Sequence, residues 1–279
     1  MTLLLNGKLV AQESEEGLKL EVETLKQELG FTPALATVIV GDDMASVTYV
    51  NMKAKACERI GLKSMIVRLK QETTTDELMD VITELNNNAE VCGILLQHPV
   101  PKHIDERLCF DNISIEKDVD GVNSASFGRM SMGRDAYISA TPYGIIRLLK
   151  HYNIPLSGKH AVVVGRSAIL GKPMAMLLLK ENCTVTVCHS KTENLPEIVR
   201  KADIVVGAVG KPEFINADWL KEGVVLIDAG YNAGNVGDID ITNGSKISSA
   251  YTPVPGGVGP MTINSLILQT VDAAKKLLK

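Results

Sequence analysis

Residues 161–179 read as a strand, a glycine turn and a helix in immediate succession, an order that points to a parallel α/β fold. The apolar run Ala161-Val-Val-Val164 breaks into Gly165-Arg166-Ser167-Ala-Ile-Leu-Gly171-Lys-Pro173, and Met174 to Leu179 is again apolar. Further β-rich runs at Thr184–Val187, Ile204–Val206 and Val224–Ile227 follow at intervals of about 20 residues, as repeated βα units require. A buried strand that ends in glycine and feeds a helix offers free backbone N–H groups and a positive dipole end to an anion. The pyrophosphate of a dinucleotide is the expected guest.

The second strand ends in Cys188-His189-Ser190-Lys191-Thr192. An NAD-preferring Rossmann unit carries an acidic side chain at this point to take the ribose hydroxyls, and none stands here. Arg166, Ser190 and Lys191 instead suit a ribose 2′-phosphate, so NADP is expected over NAD. The spacing is Gly-x5-Gly, without the middle glycine of G-x-G-x-x-G, and an ordinary βα turn with a surface arginine gives the same pattern. Walker A is excluded: it needs four residues between its glycines and Ser or Thr after the lysine, where this chain has Pro173.

The first half is a second block of strands and helices. Ala34–Val40 is a strand closed by Gly41, Ala45–Ile60 has helical spacing stopped by Gly61, and Ser64–Leu69 is a further strand. Thr73-Thr-Thr-Asp-Glu77 is a capping sequence before a helix at Leu78–Asn87, and Cys92–Leu96 is the next strand. An amphipathic segment at about Gln12–Leu29 precedes these, a helix at Gly144–His151 links the blocks, and Thr262–Leu278 forms a last helix expected to pack on the first block. The expectation is two α/β domains flanking a cleft, the second of Rossmann type.

At 279 residues with 45% hydrophobic side chains, the chain has the composition of a soluble globular protein. A net charge of −4, scattered basic residues and only four Phe and one Trp argue against nucleic acid as a partner. Leu3-Leu-Leu5 is too short for a signal peptide and no apolar run has membrane-spanning length, so a cytoplasmic protein with no membrane partner is expected. Cys57, Cys92, Cys109, Cys183 and Cys188 are odd in number and sit in apolar contexts, which reads as reduced core thiols, and no metal-ligand spacing is present.

Tyr49 and Lys53 lie four apart on the predicted helix and share a face. A lysine among Ala, Val and Cys is open to desolvation, which lowers its pKa toward proton-exchanging range; a snorkelling surface lysine beside a packed tyrosine gives the same spacing. Gln97 ends a strand and is well placed to orient a lysine or, equally, to satisfy loop backbone. His98 lies beside Pro99 in His98-Pro99-Val100-Pro101 and reads as a loop residue. Asp120, before Gly121, can bind an amino-heterocycle through paired hydrogen bonds or cap its own turn. The loop Thr252-Pro253-Val-Pro255-Gly-Gly-Val-Gly-Pro260-Met261-Thr262 combines fixed φ at proline with close backbone approach at glycine, and it is more apolar than a linker.

Six ordered motifs together resemble the bifunctional methylenetetrahydrofolate dehydrogenase/methenyltetrahydrofolate cyclohydrolase family. They are Asn6-Gly7-Lys8, Tyr49-Val-Asn-Met-Lys53-Ala-Lys-Ala-Cys57, Gly93-Ile-Leu-Leu-Gln97-His-Pro-Val-Pro101, Lys117-Asp-Val-Asp120-Gly121, Gly165-Arg-Ser167 with Gly171-x-Pro173, and the loop 252–262. The resemblance implies oxidation of 5,10-methylenetetrahydrofolate with NADP⁺ and hydrolysis of the methenyl product to 10-formyltetrahydrofolate. It implies Lys53 as the proton-handling residue of the hydrolysis, Gln97 holding its amine, Tyr49 stacking on the folate and Asp120 anchoring the pterin. Pro255, Gly256, Gly257, Val258, Gly259 and Pro260 would line the folate site, while Gly165, Arg166, Ser167, Ser190 and the backbone at Tyr231 hold NADP.

By the same resemblance, residues 1–140 form the folate-binding domain, completed by a C-terminal helix at about 262–279, residues 141–261 form the NADP-binding domain, and the protein is a homodimer. Asn123-Ser124 and Ser126 depart from the family's usual residues after Gly121, and Tyr231 stands where isoleucine is frequent. A two-domain NADP dehydrogenase of the shikimate or amino-acid type, and a monofunctional dehydrogenase, are the alternatives.

Overall fold

A computed structural model describes residues 2–278. Along the chain run β1 (Leu3–Leu4), α1 (Gly7–Leu29), β2 (Ala34–Val40), α2 (Met44–Ile60), β3 (Lys63–Leu69), α3 (Thr75–Asn87), β4 (Val91–Leu96), α4 (Glu106–Asn112), α5 (Ser124–Ser131) and α6 (Ala140–His151). They are followed by β5 (His160–Val164), α7 (Gly171–Lys180), β6 (Thr184–Cys188), α8 (Leu195–Val199), β7 (Ile204–Gly207), β8 (Val225–Asp228), α9 (Ile241–Gly244), β9 (Ala250–Tyr251) and α10 (Val258–Lys276). The chain divides into two compact units: Glu13–Ala140 with the residues from Ile263 onward, and the residues up to Gln12 with Thr141–Thr262.

The first of these units holds a parallel sheet of order β3-β2-β4. Every residue of β2 and β4 is buried, which is why both read as continuous apolar runs without alternation. Helix α2 starts at the N-cap Asp43, whose carboxylate accepts the Ser46 N–H at 2.8 Å, and stops at Gly61, whose φ of 83° is left-handed. Helix α3 begins three residues earlier than the apolar pattern implied, because Thr74 and Glu77 form a reciprocal capping box. Ile263, Leu266, Ile267, Val271 and Ala274 of α10 share a core with Leu35, Ala56, Ile60, Leu95 and Val119.

The other unit holds a six-stranded sheet of order β1-β9-β8-β7-β5-β6, with every pair parallel. Its core joins Val162, Val164, Val205 and Leu226 from three adjacent strands with Val199, Ile215 and Ile239. Residues up to Gln12 pack with this unit. Leu3 and Leu4 pair with Ala250 and Tyr251, and the Lys8 N–H donates to the Gly256 carbonyl at 2.9 Å. Strands β1 and β9 have two residues each, too short to carry a periodic pattern. Helix α10 begins at Val258 rather than at Thr262; Pro260 lies in its first turn, where the missing N–H costs no helical bond.

All five cysteines are buried and unbridged, and burial pushes the Cys57 thiol up to about 12 and that of Cys109 up to about 11. Among the described residues, no helix is long and apolar enough to cross a membrane and no three His, Cys, Asp or Glu side chains cluster as metal ligands do.

Candidate active site

Lys53 lies in the middle of α2 and is only 7% exposed, an unusual place for an ammonium group. Its Nζ donates to Gln97 Oε1 at 2.9 Å. Gln97 continues the ladder one residue past β4, its N–H donating to the Val38 carbonyl at 2.8 Å, so the sheet itself fixes the glutamine backbone. Its amide Nε2 donates to the His98 carbonyl at 2.7 Å, which assigns the amide orientation. Burial pulls the Lys53 pKa below the ordinary 10.5, and the Asp120 charge partly restores it. Burial pushes the Asp120 carboxyl up to about 6, against the pull of Lys53 and His98. A buried amine with a lowered pKa beside a carboxyl with a raised one is the pairing from which proton-transfer groups are built. Tyr49, half-buried, sits one turn before Lys53 on the same helix face.

The segment Lys117-Asp-Val-Asp-Gly121 divides its labour residue by residue. The Lys117 ammonium donates to the carbonyls of Leu85, Asn86 and Asn88 at 3.1, 2.7 and 2.7 Å, closing the C-terminal end of α3. Asp118 is fully buried and accepts the N–H groups of Val122 and Asn123, each at 3.0 Å. The turn-tying role weighed above for Asp120 thus has Asp118 as an occupant. Burial pushes the Asp118 carboxyl up to about 7. Gly121 has a φ of 63°, and a Cβ there would run into the backbone of Ile138 and Ser139.

In the other unit, Val164, Gly165, Arg166, His189, Ser190, Ala208 and Lys211 line a pocket of about 240 Å³, with Leu195 and Phe214 among its walls and no carboxylate in its lining. Glycine is required at both ends of the Gly-x5-Gly turn. Gly165 has a φ of 138°, and a Cβ on Gly171 would lie 2.7 Å from the Arg166 nitrogen. This close approach of helix α7 to the end of β5 takes the place of the missing middle glycine in bringing backbone to a pyrophosphate. Two basic side chains, a histidine and a backbone cradle without an acid fit a phosphorylated dinucleotide. Ser167 stands beside the pocket and its Oγ accepts the N–H groups of Leu170 and Gly171 at 3.2 and 3.3 Å. Tyr231 is exposed, and its hydroxyl donates to Asn235 Oδ1 at 2.6 Å.

Two buried carboxylates hold the loops beyond β7 and β8. Asp238 accepts the N–H groups of Val209, Gly210 and Lys211 at 2.6, 2.9 and 3.0 Å. Asp228 accepts those of Gly230, Asp238 and Ile239 at 2.9, 2.8 and 2.9 Å, and burial pushes its carboxyl up to about 6. Asp228, Asp238, Lys211 and Phe214 escaped the sequence reading. Aspartate before an alanine or an isoleucine has no periodic signature, and its partners are backbone groups.

The loop 252–257 folds onto its own backbone: the Gly257 N–H donates to the Pro253 carbonyl at 2.9 Å, and Thr252 Oγ1 accepts the Asp228 N–H at 2.8 Å. Pro255 and Gly256 form its tip, Gly256 with a φ of 104°, while Val258, Gly259 and Pro260 make the first turn of α10.

Residues 5–120 match the model of the tetrahydrofolate dehydrogenase/cyclohydrolase catalytic domain, and residues 139–278 that of the NAD(P)-binding domain of the same family. The bifunctional protein FolD of Alcanivorax borkumensis is 61% identical over 274 residues, with 98% of each chain covered. The bifunctional FolD methylenetetrahydrofolate dehydrogenase/cyclohydrolase of Campylobacter jejuni superposes with a TM-score of 0.96 at 43% identity, over 99% of this chain and 100% of that one. The methylenetetrahydrofolate dehydrogenase-cyclohydrolase of Trypanosoma brucei, solved with NADP cofactor and inhibitor, has a TM-score of 0.96 at 33% identity, over 100% and 99% of the two chains. Shikimate dehydrogenase from Thermus thermophilus, at 18% identity and a TM-score of 0.54, shares the fold alone. Matched along nearly its whole length, the chain belongs to the tetrahydrofolate dehydrogenase/cyclohydrolase family.

Proposed function

We propose that this protein oxidises 5,10-methylenetetrahydrofolate with NADP⁺ and hydrolyses the resulting methenyl cation to 10-formyltetrahydrofolate, with Lys53 as the proton-handling residue of the second step. The observation that carries the assignment of Lys53 is its buried amine, held by Gln97 and facing the charge of Asp120. Bound NADP⁺ supplies the acceptor for the hydride of the one-carbon bridge, a step that needs alignment rather than a protein base.

Water then attacks the cationic carbon, and Lys53, its pKa lowered by burial, takes the proton released as the C–O bond forms. The hydroxyl proton leaves as the C–N5 bond breaks, N5 takes one up, and one proton is released overall. Gln97 Oε1 aims the amine lone pair by accepting one of its N–H groups. Asp120, protonated or ionised within a unit of neutrality, holds the pterin nitrogens by paired hydrogen bonds. Tyr49 supplies a face for stacking and Pro255 to Pro260 line the folate. Gly165, Arg166, Ser167, Ser190 and the Tyr231 backbone hold the cofactor, with Arg166 and Ser190 on the 2′-phosphate. A cytoplasmic homodimer completes this reading; five unbridged thiols suit a reducing compartment, and light scattering tests the dimer.

An absorbance time course with 5,10-methylenetetrahydrofolate and either NADP⁺ or NAD⁺ tests the assignment. NADPH forming with little methenyl build-up is expected. Methenyl accumulation would leave a monofunctional dehydrogenase, and no turnover with either cofactor would remove the assignment.

A further inference from the structure

His98 and Glu106 belong to none of the roles above, yet they stand directly behind the Lys53–Gln97 pair. Between Pro99 and Pro101 only Val100 carries a backbone N–H, so this loop has little main-chain bonding of its own. Glu106 makes up the deficit with a single oxygen. Its Oε1 pairs with His98 Nδ1 at 2.5 Å and accepts the Val100 N–H at 3.3 Å. Burial works against the Glu106 carboxylate, but His98, the Val100 N–H and Arg107 together hold its pKa below the usual range.

Glu106 is itself anchored. It opens α4, whose N-cap Asp105 accepts the Leu108 N–H at 3.0 Å and donates its own N–H to Thr75 Oγ1 on α3 at 3.0 Å. The His98 carbonyl is thereby fixed from a rigid element, and that carbonyl takes the Gln97 amide N–H. An amide so tied cannot turn over without setting two oxygens against each other. Its own oxygen is left to face Lys53 Nζ.

We propose that His98 and Glu106 form a clamp that positions Gln97, and through it the Lys53 amine, for the hydrolytic step. Neither clamp residue need touch substrate; both are positioning residues. The inference rests on the assignment of Lys53 above. Hydride transfer requires no aimed amine, so the clamp acts on one of the two reactions only.

The test compares Glu106→Ala, Glu106→Gln and His98→Leu with the unaltered chain and with Lys53→Met, measuring kcat and KM for each reaction together with the thermal midpoint. Glu106→Ala and His98→Leu are each expected to lower the hydrolysis kcat about tenfold, with KM and the dehydrogenase kcat changed less than about twofold. Glu106→Gln, which keeps an acceptor oxygen at the same place, restores more than about half of the lost rate. His98→Leu provides the answer from the other side of the clamp if Glu106→Ala lowers the thermal midpoint. Unchanged hydrolysis in both clamp variants, an equal fall in the two reactions, or no rescue by glutamine would overturn the clamp. Hydrolysis surviving in Lys53→Met would instead overturn the assignment beneath it.

Discussion

The two units solve opposite problems. Around Lys53 the useful property is burial: an amine and two carboxyls are taken out of water, and their pKa values move toward neutrality. Around Gly165 the useful property is bare backbone: two glycines bring helix and strand ends together, and basic side chains reach in from a solvent-facing rim. Proton transfer needs a perturbed group at a defined point, whereas anchoring a phosphate needs shape and positive potential. One region is therefore sensitive to the charge of single side chains and the other to added atoms.

Changes that attack this contrast rank by size. Lys53→Met is expected to slow hydrolysis of added methenyltetrahydrofolate by about 10³-fold, within the range for loss of a proton-transfer group, while NADPH formation persists. Gly171→Ala drives a methyl into the Gly165–Arg166 backbone and is expected to raise the KM for NADP⁺ by at least about tenfold, leaving hydrolysis of added methenyltetrahydrofolate unaffected. Arg166→Ala is expected to raise the KM for NADP⁺ by about tenfold but that for NAD⁺ by less than about twofold, since only the former carries the 2′-phosphate. Steady-state kinetics with both cofactors would show whether the arginine discriminates.

A further effect is on stability. A carboxyl raised on folding, as Asp118 is from 3.8 to about 7, binds its proton more tightly in the folded chain. The stabilisation is complete below pH 3.8 and is lost as pH rises through about 7. Chemical denaturation between pH 4 and 8 should show a downward slope in the unaltered chain that is shallower in Asp118→Asn. Parallel slopes would mean that Asp118 does not titrate in this window.

The same contrast governs what could be read from sequence. Strands β2, β4, β5 and β7 announced themselves because parallel strands buried on both faces are runs of apolar residues, and Gly61 marked the end of α2. Tyr49 and Lys53 could be placed on one helix face from spacing. Their chemistry could not: Gln97 is 44 residues from Lys53, and only the sheet brings the two side chains within 2.9 Å. The six motifs supplied through resemblance what spacing left open. Lys211 and Phe214 were invisible because a pocket wall has no period, and Asp228 and Asp238 because they serve backbone groups of loops. The packing of residues up to Gln12 was invisible for the same reason, a two-residue strand pairing with a partner some 250 positions away.

The central claim is that burial makes the Lys53 amine a proton carrier. Direct titration of its side-chain resonance by NMR in the unaltered protein tests this, with Asp120→Asn as the companion. An inflection below 10.5, moved lower still when the neighbouring negative charge is removed, is the predicted result. A lysine titrating at 10.5 and indifferent to Asp120 would contradict it.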